Sequence, residues 1–429
     1  MHAARSRIAE TGRGAVPTLG STSLVHTVGG SCAGTGGVVR RAQYYARVSA
    51  DDDTSSGRRI LMGVTGLSID GGVASVTRSI ARALDEETAA GRLDRVDRVL
   101  LLDESPPAPP LRGSQYLAHG SHARFALRVR WEMAWRRSDL AFFDLAGVAR
   151  PMQLPLPLPR PPYAVFCHGE EFRRSDIGSG YARAAREASR LVTNSHHTAA
   201  MLRDKFAWAR DQVRVAPLCI DPARLEEWAG LAPPSFARSE PIALIVGRMW
   251  SEERGKGHDQ LLEAWPSVLA AVPKARLQVV GDGDDRARLE HKAAELGLAD
   301  AVDFLGRISD DELVEAYRRA ALFTMPSRQE GFGLVYAEAM WHGLPCLATF
   351  DDAGSEVVRD GATGRLVPYG DVAATAGAIA ELLGNSGYCS ALGEAAAREA
   401  RERFGYERFK VDVLTALGLR SSEALRAGG

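Results

Sequence analysis

The feature that most constrains the fold of this 429-residue chain is a regular alternation of short apolar runs with longer segments of helical periodicity. Short apolar runs bounded by turn residues favour buried strands, and apolar residues at positions i, i+3 and i+4 favour helices. Strands that alternate with helices are typical of parallel sheets covered by helices on both faces. The pattern therefore predicts an α/β fold of the doubly wound kind.

The alternation occurs twice, with a segment of linker composition at residues 231–240 between the two series. The predicted strands are residues 60–65, 99–102, 140–144, 164–167, 191–193 and 213–216, then 242–246, 275–280, 302–305, 322–325 and 344–348. The predicted helices are residues 73–84, 117–137 and 196–206, then 258–271, 284–296, one from Leu334 onward, and two or three that close the chain. Two Rossmann-like domains follow from this order.

Three local signals refine the helices. Ser195 is a good N-cap for the helix at 196–206, and Ser309 with Glu312 forms a capping box for the next helix after 302–305. Pro266 lies inside the helix at 258–271 and is expected to kink or break it.

Residues 1–57 differ from the rest of the chain and are predicted to be a disordered leader. They are rich in Gly, Ser, Thr and Ala and show no clear periodicity. A transit-like segment and an over-long start of the coding sequence remain equal alternatives. The predicted domains are therefore 58–236 and 237–404, with 405–429 as a terminal helix.

Composition and charge exclude several classes of protein. The formal net charge is −1, so no overall field favours nucleic acid. No apolar run approaches the length of a membrane-spanning helix. Five scattered cysteines without a C-x-x-C pair argue against a disulfide framework or a zinc site and favour a reducing cytoplasm.

The strongest candidate site is the stretch at 327–345, where Glu330 and Glu338 flank a Gly-Phe-Gly turn. Glycines allow a sharp turn and close approach of a ligand, and the helix that starts at Leu334 offers unpaired N–H groups to an anion. Ionised glutamates accept hydrogen bonds from hydroxyl groups. A pair of carboxylates could also act as acid and base in glycoside hydrolysis, and an ordinary loop into a buried helix is the plain alternative.

Cations and a histidine follow other predicted strands. Arg248 follows the strand at 242–246, and Lys256 lies in a glycine-containing loop. The two cations suit a diphosphate and the negative charge that grows on it as it departs, unless the loop is simply solvated. Gly71 and Gly72 form a strand–helix turn that is either a phosphate- or sugar-binding turn or a plain tight turn. His168 ends another strand and is as readily structural as functional.

Two further segments are ambiguous. The helix at 121–137 carries several arginines with Trp131 and Trp135, so it is either an interfacial helix in weak contact with a membrane or, as favoured here, a surface helix with its aromatic side packed inward. Asp282 and Asp284 are interpreted as a strand-to-helix turn, and His196 with His197 as a helix start, so no metal site is predicted.

The residues of the second half resemble the family-4 glycosyltransferases, retaining enzymes of the GT-B fold in which two Rossmann-like domains face each other across a cleft. The motifs that carry the resemblance are E-G-F-G-L-V-Y-A-E at 330–338 (the family's E-x7-E motif), Gly247-Arg248, Lys256-Gly257, 280–283, 304–306, Ser327 and 361–368. The first half matches more loosely, at 71–73, 168–169, 194–195 and 217–221.

The resemblance implies a role for each matching residue. Arg248 and Lys256 would hold the donor's diphosphate, Glu330 the sugar hydroxyls, Glu338 the ribose, and His168 the sugar near the reacting carbon. The implied catalytic residues are His168, Arg248, Lys256 and Glu330. The implied donor-binding residues are Gly71, Gly72, Arg248, Lys256, Gly281, Leu305, Gly306, Arg307, Glu330, Gly331, Phe332, Gly333, Leu334 and Glu338.

The implied activity is metal-independent, retaining transfer of a hexose-type sugar from a nucleoside-diphosphate sugar to an acceptor hydroxyl, in polysaccharide or glycoconjugate synthesis, with no cofactor. Domain 58–236 would face the acceptor, domain 237–404 would bind the donor, and the terminal helix from residue 405 would cross back to the first domain. A sugar-nucleotide epimerase, a phosphorylase and a non-catalytic sugar-nucleotide-binding protein are the alternatives. The donor base, the sugar and the acceptor are left open.

Overall fold

The computed structural model describes residues 57–69, 71–107, 112–158, 160–173, 179–236, 238 and 240–420. Except for Gly57, the leader predicted at 1–57 lies outside these residues. No helix in the described part of the chain is long and apolar enough to cross a bilayer.

The first sheet has seven parallel strands in the order β3-β2-β1-β4-β5-β6-β7. Its strands are β1 (Arg58–Val64), β2 (Leu93–Leu100), β3 (Gln115–Leu117), β4 (Leu140–Phe143), β5 (Tyr163–Cys167), β6 (Arg190–Thr193) and β7 (Val213–Val215). The associated helices are α1 (Gly72–Ala89), α2 (His122–Arg136), α3 (Glu170–Arg173), α4 (Ser179–Glu187), α5 (His196–Lys205) and α6 (Pro222–Ala229).

The second sheet has six parallel strands in the order β10-β9-β8-β11-β12-β13. Its strands are β8 (Ile242–Val246), β9 (Arg276–Val280), β10 (Val302–Gly306), β11 (Leu322–Thr324), β12 (Cys346–Thr349) and β13 (Gly364–Val367). The helices are α7 (His258–Ala271), α8 (Arg286–Glu295), α9 (Asp310–Arg319), α10 (Leu334–Trp341), α11 (Gly354–Val357), α12 (Val372–Gly384), α13 (Ser386–Arg403) and α14 (Tyr406–Leu417). These two sheets confirm the predicted α/β fold.

Both sheets reverse their strand order once, between β1 and β4 in the first and between β8 and β11 in the second. Ligands of open parallel sheets bind beyond the carboxyl ends of the strands at such a reversal. The loops that follow β1, β4, β8 and β11 are therefore the places to look for a site.

The last helix, α14, packs against α1, β6 and β7 of the first sheet. Its end is held there by Arg58, whose Nη1 donates to the Gly418 carbonyl at 2.9 Å, and by Arg190, whose Nη1 donates to the Leu417 carbonyl at 3.2 Å. The chain thus returns to the sheet on which it began.

The structure corrects the prediction for residues 93–137. Strand β2 ends at Leu100 rather than continuing to 102, and it begins at Leu93 although the segment carries Asp97 and Arg98. Both charged side chains are buried, and Nη2 of Arg98 pairs with Asp85 at 2.7 Å. Ion pairing thus allows charged residues in a buried strand that was predicted from apolar residues alone. The helix predicted at 117–137 starts only at His122, because residues 115–117 pair with β2 as the strand β3.

The expectation that the aromatic side of this helix packs inward is also wrong. Trp131 is 42% exposed and Trp135 is 73% exposed, whereas Phe125, Val129 and Met133 form the buried side of α2. Large apolar side chains lie on two opposite faces of α2. The sequence pattern therefore did not indicate which of these faces would be buried.

Among the helix signals, the two caps are confirmed, and the break expected at Pro266 does not occur. The side chain of Ser195 accepts from the Thr198 amide, and Ser309 with Glu312 forms the capping box. Helix α7 continues through Pro266 without a break. Its neighbour Trp265 is fully buried, and burial of large apolar side chains at about 2 kcal/mol each offsets the cost of a proline inside a helix.

Candidate functional site

An ion pair between Lys256 and Glu330 lies where the second sheet reverses its order. Lys256 ends the short 3-10 helix Ser251–Lys256 that follows β8, and Glu330 follows β11. Nζ of Lys256 contacts Oε1 of Glu330, and the two side chains are only 17% and 12% exposed. Burial by itself would lower the pKa of Lys256, but the adjacent Glu330 carboxylate more than compensates, so the pKa is raised. The lysine is therefore held as a cation.

The backbone of Glu330 is fixed from both domains. Its amide donates to Oδ2 of Asp352 at 2.9 Å, and its carbonyl accepts from Nη2 of Arg173 at 3.1 Å. Burial raises the pKa of Asp352 to about 6, although the amides of Glu330 and Gly354 oppose that rise. Asp352 and Arg173, neither of which was predicted, thus position the Glu330 loop.

The Gly331–Gly333 turn needs its glycines for two different reasons. A Cβ atom on Gly331 would lie 2.0 Å from the carbonyl oxygen of His168, so the loop approaches the first domain too closely for any side chain. Gly333 has φ of +91° and caps helix α10, a conformation that favours glycine. The backbone of the Gly331–Gly333 turn therefore lies directly against the loop that carries His168.

The residues next to these glycines have packing roles. The Phe332 side chain is buried and its ring lies 5.9 Å from that of Phe404, edge to face. Leu334 begins helix α10. Only the backbone of Phe332 can therefore line a ligand.

Glu338 contacts an arginine of another helix. Its Oε1 accepts from Nη1 of Arg224 at 3.0 Å, and its Oε2 accepts from the hydroxyl of Tyr317 at 3.2 Å. Arg224 lies on α6 and also pairs with Asp310 at 2.8 Å. Burial raises the pKa of Glu338, and Arg224 opposes that rise.

Arg248 is placed differently from Lys256. Its guanidinium stacks 4.4 Å from the ring centroid of Trp250 and pairs with Glu253 at 3.0 Å. The side chain is 56% exposed. The structure thus leaves the Arg248 guanidinium at the surface beside the buried pair rather than within it.

His168 lies in the loop after β5 and is neutral. Its Nε2 lies 3.1 Å from the backbone carbonyl of Asp144. Because a carbonyl oxygen only accepts, Nε2 carries the proton and Nδ1 is left as an acceptor. Burial lowers the pKa of His168 to about 4, although the Asp144 carbonyl opposes that change.

The turn at Gly71 and Gly72 begins helix α1 after β1. Gly71 has φ of +122°, and a Cβ atom on either glycine would meet no heavy atom within 4 Å. The preceding loop is anchored by Asp103, whose carboxylate accepts from the amides of Leu67 and Ser68 at 2.8 and 2.7 Å. The turn is open toward any ligand at this edge.

The remaining predicted donor-binding residues lie at the end of β10 or just after β9 and β10. Gly281 has φ of +130°, and a Cβ atom there would lie 2.0 Å from the Gly247 carbonyl oxygen, so the ends of β8 and β9 touch. Leu305 is 40% exposed and Arg307 is exposed. Gly306 packs near the guanidinium of Arg286.

Polar contacts join the two domains beside this site. Nη1 of Arg173 donates to the Arg328 carbonyl at 2.8 Å. The amide of His196, at the start of α5, donates to Oε2 of Glu356 at 2.9 Å. His196 and His197 therefore lie at a helix start, as predicted, and within the described ranges no group of three or more His, Cys, Asp or Glu side chains is suited to a metal ion.

Sequence reasoning missed Arg173, Arg224, Tyr317 and Asp352. Asp352 could have been found, because it follows the apolar strand β12 as the other candidates follow theirs. Asp221 and Pro222 are a helix-start signal for α6, but nothing in the sequence links Arg224 to Glu338.

Comparisons with known proteins agree with this architecture. A sequence profile of the family described as "Glycosyl transferases group 1" matches residues 232–399. A D-inositol 3-phosphate glycosyltransferase of Nocardia farcinica is 37% identical over 209 residues, which are 46% of each chain. A GDP-mannose-dependent alpha-(1-6)-phosphatidylinositol monomannoside mannosyltransferase of Mycolicibacterium smegmatis is 31% identical over 277 residues, 58% of this chain and 69% of that protein.

For several of the curated relatives, the chain matches only about half of the relative's length. Among solved structures, sucrose-phosphate synthase from Thermosynechococcus elongatus superposes with a TM-score of 0.65 at 23% identity, over 87% of this chain and all of the other. Anabaena HepE in complex with UDP and glucose gives a TM-score of 0.64 at 19% identity, over 84% and 99%. At such identities the likeness concerns the fold.

Proposed function

The chain belongs to the family of glycosyl transferases group 1, and from that premise we propose that it moves a hexose-type sugar from a nucleoside-diphosphate sugar to an acceptor hydroxyl with retained configuration. Glu330 and Glu338 would form an E-x7-E motif, in which Glu330 binds the sugar and Glu338 binds the ribose.

The observation that carries the proposal is the buried pair of Lys256 and Glu330 at the reversal of the second sheet. A buried ion pair is weak support for stability, since the cost of removing both charges from water offsets their attraction. A cation and a carboxylate side by side do suit a sugar diphosphate, which presents phosphate oxygens next to sugar hydroxyls. The Lys256 ammonium has three donors and can bind a phosphate oxygen while it keeps Glu330.

The cations would act on the leaving group. As the bond between the sugar's anomeric carbon and the diphosphate oxygen breaks, negative charge grows on the diphosphate. Lys256 would stabilise this charge from within the site, and Arg248 would turn from Glu253 to add a bidentate contact. These two side chains supply the positive charge, so the proposal requires no metal ion and no cofactor.

The first domain would hold the reacting face of the sugar. The Gly331 backbone lies against His168, so a sugar bound at Glu330 is next to that histidine. Nδ1 of His168 accepts from a sugar hydroxyl in this arrangement, because Nε2 is committed to Asp144. Gly71 and Gly72 would face the diphosphate and the acceptor, and Leu305, Gly306 and Arg307 the nucleobase.

Retention follows if the acceptor enters on the face that the diphosphate leaves. The acceptor oxygen forms the new bond to the anomeric carbon, and its proton passes to an oxygen of the departing phosphate. The protein positions the partners and excludes water when its domains close on them.

The substrates of similar proteins narrow the candidate substrates of this chain. HepE is described with UDP and glucose, and one relative is GDP-mannose-dependent. Several relatives act on inositol phosphates or phosphatidylinositol derivatives. We therefore propose a UDP- or GDP-hexose as donor and a cyclitol, lipid-linked or saccharide hydroxyl as acceptor. A membrane contact through residues 121–137 is a separate proposal, because it depends on other side chains.

The test uses the variants Lys256→Met and Glu330→Gln in the full chain. Thermal-shift and calorimetric titrations with UDP, GDP and their hexoses should first identify the donor, because a ligand that binds only the folded state raises its melting temperature. Both variants should then lose transfer by a factor of about 100 or more, with Lys274→Met and Glu394→Gln, at exposed positions, as matched controls. Normal turnover in both site variants would refute the assignment.

Product analysis separates the remaining alternatives. An anomeric proton spectrum of the product should show the donor's configuration. Conversion of the donor to an epimer without transfer would identify an epimerase, and release of a sugar phosphate would identify a phosphorylase. Donor binding without any turnover would identify a non-catalytic binding protein.

A further inference from the structure

Helix α2 presents a row of large apolar side chains to solvent. Leu127, Trp131 and Trp135 are 65%, 42% and 73% exposed. They are spaced four residues apart and so share one side of the helix. The opposite side packs onto the first sheet through Phe125, Val129 and Met133. The row therefore belongs to a well-anchored helix whose outer side stays exposed to solvent among the residues that the structure describes.

Arginines lie along this row and at the end of the helix. Arg124 and Arg137 are exposed, and the guanidinium of Arg128 lies 4.5 Å from the ring centroid of Trp131. The one acidic residue of the helix, Glu132, is buried, with its carboxylate bound by Arg128 at 2.9 Å and by Arg136 at 3.0 Å. Across residues 122–137, all of which the structure describes, no carboxylate reaches the surface.

An apolar loop extends this surface. Leu156 and Leu158, in the loop before β5, are each 37% exposed. The buried guanidinium of Arg130 donates to the carbonyl oxygen of Leu158 at 3.2 Å and to that of Leu156 at 3.5 Å, so it ties the loop to α2. Leu127, Trp131, Trp135, Leu156 and Leu158, with the flanking arginines, are called the tryptophan face.

We propose that the tryptophan face docks on the surface of a bilayer that contains anionic lipids, with α2 lying in the plane of the interface. Tryptophan rings favour the boundary between headgroups and acyl chains. A helix with an apolar row bordered by arginines binds such surfaces through apolar burial and attraction to acidic headgroups.

The charge of the face argues against a second copy of the chain as its occupant. A two-fold dimer would bring the same patch of both copies together. Arg124 and Arg137 of one copy would then approach those of the other, and the acidic residue of each helix, Glu132, is buried against Arg128 and Arg136. An anionic bilayer supplies the missing negative charge.

Docking by this face would orient the chain usefully for a lipid-linked acceptor. Helix α2 begins just after β3, so its start lies at the carboxyl edge of the first sheet. The Gly71–Gly72 turn and His168 lie at that same edge, after β1 and β5. This consequence rests on the proposed function, whereas the docking itself does not.

The experiment measures co-sedimentation of the full chain with vesicles of phosphatidylcholine alone and with phosphatidylglycerol added, without donor or acceptor. We expect binding only to the anionic vesicles, and weaker binding as salt is raised. The double variant Trp131→Ser/Trp135→Ser should lose most of the binding. Arg124→Gln/Arg137→Gln should bind about 25-fold more weakly, at about fivefold for each arginine.

Matched controls lie on the second domain. Leu296→Ser and Arg319→Gln change an exposed leucine and an exposed arginine there and should leave vesicle binding unchanged. Circular dichroism checks that each variant folds, and the single change Trp135→Ser, at the most exposed ring, serves if the double variant does not.

Two results would overturn the proposal. One is equal sedimentation of wild type and tryptophan variants, or none with anionic vesicles. The other is a dimer in analytical ultracentrifugation that the tryptophan changes abolish while vesicles bind nothing, which would assign the face to a second copy. Because sugar transfer is not measured, either result leaves the proposed function untouched.

Discussion

Titratable side chains are buried at the carboxyl edges of both sheets. The first edge stabilises its acids by hydrogen bonds, whereas the second edge stabilises its acids by ion pairs. At the first edge, the acids accept hydrogen bonds from nearby amides and hydroxyls: Asp144 from Thr65 and Thr77, and Glu171 from the amide of His168. Burial raises the pKa of Asp144 and of Glu171 to about 7 and lowers that of His168 to about 4. At the second edge, Glu330 pairs with Lys256 and Glu338 pairs with Arg224.

Because of this difference, the two edges suit different chemical groups of a ligand. The first edge is a hydrogen-bonded frame in which several groups are close to neutral, which suits contact with uncharged hydroxyls. The second edge keeps cations beside carboxylates, which suits a diphosphate joined to two sugars. The sheets have nearly the same strand order, so the side chains after the strands, and not the topology, make this difference.

The largest effect should come from breaking the ion pair of the second edge. Glu330→Leu leaves Lys256 buried without its carboxylate, so we expect unfolding to become easier by about 3 kcal/mol. Lys256→Met/Glu330→Leu should recover most of that loss, because it removes the unpaired charge. Urea denaturation measures both free energies of unfolding.

The matched control is Glu240→Leu, which breaks the exposed pair of Glu240 and Arg319. Such a pair contributes less than about 1 kcal/mol. If Glu330→Leu and Glu240→Leu cost the same, the second edge is not a buried ionic site and the comparison between the edges fails.

A smaller effect should follow from Arg224→Gln. Burial already raises the pKa of Glu338, and loss of Arg224 raises it further. As pH falls, more of the Glu338 carboxylate is protonated, and a neutral acid accepts hydrogen bonds less strongly. We expect nucleoside-diphosphate binding to weaken about tenfold at pH 6, about the loss of one charge-assisted hydrogen bond, and less at pH 8.

Isothermal titration calorimetry at the two pH values measures this change. Arg319→Gln, an exposed arginine on α9, is the control and should match wild type at both. An Arg224→Gln variant that binds equally well at pH 6 and pH 8 would show that Arg224 does not hold Glu338 in its ionised form.

At a fixed pH near 5, the smallest effect concerns Asp144 at the first edge. Its folded pKa of about 7 lies above the usual 3.8, so the folded state retains a proton that the unfolded chain releases. The contribution of this group to stability is greatest below pH 3.8 and declines as pH rises to about 7, by at most about 1.4 kcal/mol per pH unit. Asp144→Asn should reduce that decline and change stability at pH 5 only slightly.

Chemical denaturation at pH 5, 6 and 8 tests this behaviour, with Asp139→Asn at an exposed position as the control. If the stability of Asp144→Asn declines with pH as steeply as that of wild type, the proton is held by another group of the first edge.

The predicted fold was reliable where the sequence carries long uninterrupted signals. Strands such as β5 and β8 are wholly apolar, and their neighbours Ser195 and Ser309 mark helix starts by local hydrogen bonding. The prediction failed where long-range contacts outweigh local preference. Strand β2 contains Arg98, which is tolerated because Asp85 of α1 pairs with it, and no local rule contains that partner.

The candidate site divides in the same way. The sequence was sufficient to find Lys256, Glu330 and the glycines that precede α10. Polar residues that follow apolar strands meet at one edge of a parallel sheet. Arg173, Arg224 and Tyr317 could not be found in this way, because each reaches the site from a helix that approaches it only after folding.

By itself the sequence determined two parallel sheets and the residues at their carboxyl ends, because strand periodicity and turn chemistry are local properties. Only the tertiary structure decided that Glu338 shares its carboxylate with Arg224, that Gly331 touches His168, and that Trp131 and Trp135 face outward. Those outcomes depend on which surfaces meet when distant segments pack, and a side chain's type does not specify its partner.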